Sequence, residues 1–173
     1  MLQGMSSSQP NAIVERLFRH LGWANAHVLA SLATLTDEQL GCASPGSDWS
    51  AAAIAQHLVH VSGLYASRLD GAAAPAATAL PTNSAQIADL AQRCAEYDAR
   101  LLVESGQPEG IVEYVREGKH MRRTRSALLA QALLHANEHR AQIAGALDAH
   151  GVRAIDLDAL SPWQFGIVEG LDE

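Results

Sequence analysis

An all-α fold, four main helices with a small β-hairpin before the fourth and a short helix after it, is what the sequence predicts. Three observations carry this. Apolar residues recur at intervals of three and four over four long segments; residues that favour helix caps flank those segments; and strict alternation is confined to one brief stretch near 111–124. With 173 residues, one domain spanning 1–173 is expected, large enough to bury a core without disulfide or metal staples. Residues 1–9 are expected to be a flexible lead.

The first helix is predicted over about 10 to 35. Val14, Leu17, Phe18, Leu21, Val28, Leu32 and Leu35 form its apolar arc, and Asn25 falls in the middle of that arc. A polar amide there must find hydrogen-bond partners, either in the core or beside a functional site. His20, Trp23 and His27 lie on the opposite face, where a Trp marks a subunit contact or the docking place of a later segment. Residues 36 to 49 are rich in Gly, Pro, Ser and Asp and read as a loop. Ser50 then caps an Ala-rich second helix running to about Asp70. Ile54, His57, Leu58, Val61, Leu64 and Tyr65 share one arc of it, so His57 looks inward, whereas His60 lies on the polar side.

An Ala/Pro-rich connector, 71–82, leads to a third helix capped by Asn83 or Ser84 and ending near Ser105. Its core stripe is Ile87, Leu90, Cys94, Tyr97, Leu101 and Leu102, with Asp89, Arg93, Glu96, Asp98 and Arg100 read as a solvated face. Alternation over Ile111 to Arg116 and Lys119 to Thr124, around a Glu117-Gly118 turn, predicts a hairpin that pairs Tyr114 with Met121 and Glu113 with Arg122. The basic run KHMRRTR is thereby accounted for as a charged outer strand. Its other reading is an anion-binding role for Arg122, Arg123 or Arg125 near a ligand, ahead of a role in nucleic-acid binding. Ser126 begins the fourth helix, which stops near His150 and Gly151. In the tail, LSPWQF is expected to lay Trp163 and Phe165 against the helices.

Charge and cysteine content narrow the function classes. A formal charge of -7 argues against nucleic-acid binding through the surface as a whole. Cys42 and Cys94 form no redox or zinc-thiolate motif, and no run is apolar enough to span a membrane, so a soluble protein of the reducing cytoplasm is expected.

The chemistry concentrates in LLHANEHRAQ, 133–142. His135 and His139 are one turn apart on the inward arc with Leu128, Ala132, Ala136 and Ile143. Two imidazoles in an apolar seam are hard to satisfy separately, which favours a shared metal ion. His57, from a facing helix, supplies a third nitrogen. Three neutral imidazoles suit zinc, nickel, iron or copper better than magnesium or calcium, and they leave positions open for water or substrate. HANEH also matches the H-x-x-E-H peptidase motif with Glu138 as base, but such enzymes are much larger and take a further carboxylate ligand from well downstream.

Taken in order, WAN (Trp23 to Asn25), WS with the inward HL (Trp49, Ser50, His57, Leu58) and HxxxHRxQ (His135, His139, Arg140, Gln142) make the chain similar to the DinB/YfiT-like family. The resemblance extends over nearly the whole chain. It implies an up-down-down-up four-helix bundle and a divalent metal, zinc or nickel first with iron or manganese as further options, held by residues matching His57, His135 and His139. It also implies a homodimer and transfer of a low-molecular-weight thiol to an electrophilic small-molecule substrate, the metal stabilising the thiolate. Many relatives read HRGQ where this chain has HRAQ, so Ala141 adds a methyl group at that position. On this reading Asn25, Glu138 and Gln142 are the candidates for proton transfer or for orienting the ligands, and Tyr65, Arg122 and Arg123 border the substrate mouth. The competing reading is a non-catalytic stress-response bundle that binds metal or a small ligand; a metal-dependent hydrolase is a further alternative.

Overall fold

The computed structural model describes residues 12–172; the expected flexible lead, 1–9, lies outside them. Among the described residues the chain forms α1 (Ala12–Leu32), α2 (Asp37–Leu40), α3 (Ala51–Asp70), α4 (Ser84–Ser105), the strands β1 (Ile111–Arg116) and β2 (Lys119–Thr124), α5 (Arg125–Asp148) and α6 (Pro162–Val168). It is mostly helical with one two-stranded antiparallel hairpin before α5. The long helices begin where side-chain oxygens can take up free backbone N–H groups. Ser50 accepts from Ala53 N–H and Asn83 from Gln86 N–H. On α5 the cap is Thr124, accepting from Ala127 N–H, so the helix starts at Arg125, one residue before the expected Ser126. The loop over 36 to 49 holds a helical turn that periodicity does not reveal. In α2, Thr36 and Gln39 close a capping box, but a four-residue helix is too short to repeat an apolar face.

The hairpin pairs Tyr114 with Met121 and Glu113 with Arg122, as alternation predicts. Glu117 (φ 50) and Gly118 (φ 74) both adopt left-handed backbone, which is what a two-residue turn matched to strand twist requires.

In the interior, α1 and α3 each pack against both α4 and α5. Gly63 of α3 lies where a Cβ would come within 2.8 Å of the Tyr97 ring and 3.0 Å of Pro75, so a small residue here lets α3, α4 and the connector meet. The core divides into two apolar clusters. One gathers Val28, Leu32, Leu58, Ile87, Leu90, Ile143 and Leu147; the other gathers Phe18, Leu21, Leu69, Leu101, Val112, Leu128 and Leu129. Along α1, α4 and α5 a polar layer separates them. Asn25 Nδ2 donates to Asp98 Oδ2 (2.9 Å), Arg140 Nη1 donates to Asn25 Oδ1 (2.7 Å), and the Cys94 thiol donates to Asp98 (3.4 Å).

Two sequence expectations are corrected here. Asp98 is not on a solvated face; it is only 4% exposed. Its place on the wheel lies between Ile87 and Leu102, within the core stripe, and Asn25 makes its charge tolerable there by donating to the carboxylate. Trp163 does not lie against the helices but is 82% exposed. Residues 163 and 165 are two apart in α6, about 200° around a helix, so only one can face inward. Phe165 does, meeting Trp23 and His20 at ring separations of 5.4 and 5.7 Å. The Trp23 face of α1 is therefore the docking place of the later segment, with His20 Nε2 2.8 Å from the Leu160 carbonyl.

Candidate metal centre

His57 comes from α3, and His135 and His139 from successive turns of α5. One ring nitrogen from each falls in a group whose atoms all lie within 4.8 Å of one another. Ring centroids are 5.2 Å apart for His57 and His135, 4.9 Å for His57 and His139, and 4.2 Å for His135 and His139. The His135 and His139 Nε2 atoms are 3.0 Å apart. Two nitrogens bound at ~2.0–2.1 Å to one tetrahedral ion stand about 3.3 Å apart, so this spacing fits a shared metal.

The electrostatics point the same way. Burial, reinforced by repulsion from His139 and His57, lowers the His135 pKa to about 4. Burial, with repulsion from His139 and then His60, also lowers that of His57. Imidazoles that resist protonation keep a lone pair for a cation at neutral pH. His139 is further oriented through its other nitrogen. Glu138 Oε1 accepts from Gln142 Nε2 (3.4 Å), which turns Gln142 Oε1 toward His139 Nδ1 (2.7 Å). Nδ1 must then be the protonated nitrogen, leaving Nε2 free to face the other two histidines.

Trp49 forms one wall. Its ring meets His57 edge-on at 4.9 Å and stacks on His139 at 6.5 Å. Next to it a cavity of about 450 Å³ opens, lined by Asp48, Trp49, Gln56, His57, His60 and connector residues including Leu80. Gln56 donates to the Thr78 carbonyl, tying the connector to α3 beside this cavity. On the other flank Tyr65 meets His135 edge-on at 5.9 Å.

The remaining sequence candidates fall in different places. Gln142 reaches a histidine directly, and Glu138 only through Gln142; the Glu138 side chain is exposed and has no hydrogen bond to the three imidazoles. Asn25 is not brought to the cluster. It is 1% exposed and committed to Asp98 and Arg140 in the polar layer. Arg122 and Arg123 stay exposed on the hairpin, Arg122 paired with Glu113 (2.8 Å) and Arg123 donating to the Arg122 carbonyl (2.8 Å). Arg125 pairs with Glu104. A different arginine packs behind Tyr65: the Arg68 guanidinium lies over the Tyr65 ring at 5.6 Å and the Tyr114 ring at 4.6 Å. Its signal was present, since residue 68 is eleven after residue 57 and returns to nearly the same helix face. Trp49 had no such signal, because it precedes the helix and its direction is set by the loop.

Among the described residues no helix is long and apolar enough to cross a membrane. Cys42 and Cys94 are buried free thiols. Neither a curated protein nor a solved structure gives a significant match to the chain. A family model does match residues 5–164, and by this match the chain belongs to the DinB family.

Proposed function

We propose that this protein is a divalent-metal-dependent enzyme that transfers a low-molecular-weight thiol to an electrophilic substrate, with His57, His135 and His139 as the metal ligands. The observation that carries the reading is the convergence of three imidazole nitrogens within 4.8 Å beside a cavity of about 450 Å³. A divalent ion held there would supply the positive charge that makes a thiol acidic near neutral pH. Gln142 holds His139 in the required tautomer, Trp49 limits solvent access, and the apolar Leu80 and Ala77 of the connector offer a surface for the electrophile. Zinc or nickel suits the all-nitrogen donor set best.

The proposal includes a single-domain four-helix bundle of α1, α3, α4 and α5 in up-down-down-up order, acting as a cytoplasmic homodimer. Two contacts support the helix order. Asp70 and Arg100 pair near the C-terminal ends of α3 and α4, as in parallel neighbours, and Phe18 clusters with Leu101 while Val28 clusters with Ile87, as in antiparallel α1 and α4.

Metal analysis of the purified protein beside His57→Ala and His139→Ala, followed by assays with thiols and electrophiles, tests the function. Stoichiometric metal in the wild type that is lost in both variants, with thiol-dependent turnover, is the expected result. Full metal in both variants would remove the site. Metal without thiol-dependent turnover would favour the non-catalytic metal-binding reading.

A further inference from the structure

The cluster has two chemically unlike flanks. The cavity beside Trp49 is lined by Asp48 and, among the described residues, by no Lys or Arg. The opposite flank carries Tyr65, Arg68 and Tyr114. Arg68 is half-buried between two tyrosine rings and has no carboxylate within ion-pair distance among the described residues. Other partly buried arginines do not share that condition: Arg100 is held by Asp70 at 2.8 Å and Arg125 by Glu104. A planar guanidinium fixed by aromatic stacking, with its donors uncommitted, is built to receive a carboxylate in a forked pair. The Tyr65 ring lies against this guanidinium, and its hydroxyl offers a hydrogen-bond donor to the same anion.

Resting on the thiol-transfer reading above, we propose that Arg68, with Tyr65, binds the carboxylate of a small carboxylate-bearing thiol whose sulfur reaches the three-histidine cluster. The geometry sets the size. From the His135 ring to the Tyr65 ring is 5.9 Å, and from that ring to the Arg68 guanidinium a further 5.6 Å. These separations meet at the Tyr65 ring, so together they set an upper limit, and a ligand touching both ends spans no more than roughly three residues of extended chain at ~3.3–3.6 Å each. The electrophile is left with the cavity beside Trp49 and Leu80, which no Lys or Arg lines among the described residues, on the other side of the histidines.

The test is calorimetric titration of the full chain with glutathione, with 2-mercaptoethanol, which has a thiol but no carboxylate, and with S-methylglutathione, whose sulfur is blocked. Zinc-loaded wild type should bind glutathione well above 2-mercaptoethanol. Arg68→Gln should weaken glutathione roughly tenfold, the loss expected for one charge-assisted pair, and leave 2-mercaptoethanol and zinc content unchanged. Arg68→Lys should recover part of the affinity. Metal-free wild type should bind S-methylglutathione, again more weakly after Arg68→Gln, and this arm decides the carboxylate site even if zinc fails to load, which would count against the metal reading alone. Equal weakening of all three ligands, no change with Arg68→Gln, or no binding of either glutathione compound to the wild type would overturn the proposal.

Discussion

Asn25→Ala separates a scaffold role from a catalytic one. The amide sits between two charged side chains, donating to Asp98 at 2.9 Å and accepting from Arg140 at 2.7 Å, and Asn25 and Asp98 are only 1% and 4% exposed. Hydrogen bonds to charged groups contribute about 1.5–3 kcal/mol each, so losing both costs about 3 to 5 kcal/mol once some relaxation is allowed. For a chain of this size each kcal/mol shifts Tm by about 2–4 °C, so a fall of about 10 °C is expected. Urea unfolding at low temperature, where the variant remains folded, measures the loss directly. Metal content and turnover per folded molecule should stay within about twofold of wild type, because the amide bonds none of the three imidazoles. A loss below about 1 kcal/mol, or unchanged stability with abolished turnover, would refute the structural assignment.

Other expected outcomes test separate links of the argument. Gln142→Ala frees the His139 ring and should weaken metal binding about 10- to 100-fold by competition with a chelator, whereas Glu138→Ala, acting one step further out, should do less. Burial raises the Asp98 pKa from 3.8 to about 6. Because the folded state holds this proton more tightly, its contribution is fully present below pH ~4 and is lost as pH rises through ~6, a change of up to about 3 kcal/mol. Comparing urea unfolding at pH 4.5 and 7 in wild type and Asp98→Asn should show this component vanish in the variant; parallel pH profiles would contradict it. Gly63→Ala should cost about 1–2 kcal/mol, since the new methyl group must displace the Tyr97 ring and Pro75. Chemical denaturation reads that cost, and an unchanged midpoint would show that the ring moves freely.

Much of this molecule is legible residue by residue because its signals are local. The caps at Ser50 and Asn83, the register of Tyr114 with Met121, and the inward arcs holding His57, His135 and His139 follow from backbone periodicity and from the chemistry of helix ends and turns. The remainder is not legible in this way, because position overrides residue type or direction depends on a distant element. Asp98 carries a charge that favours solvent, but its wheel position is interior. Trp163 and Phe165 are both aromatic, but α6 can present only one of them inward. Arg122 and Arg123 belong to a basic run, yet their contacts stay within the hairpin, while Arg68 lies over Tyr65, whose ring meets His135.

By itself the sequence determined where the long helices and the hairpin lie, that His57, His135 and His139 face inward, and the order of motifs that makes the chain similar to the DinB family it belongs to. Each of those depends on neighbours within a few residues along the chain. The tertiary structure alone decided that α3 brings His57 to the α5 pair, that Trp49 closes over them, and that Asn25 belongs with Asp98 and Arg140. Those facts join residues dozens of positions apart. Their geometry is set by how the helices pack and by the need of buried polar groups to find partners, which no single segment specifies.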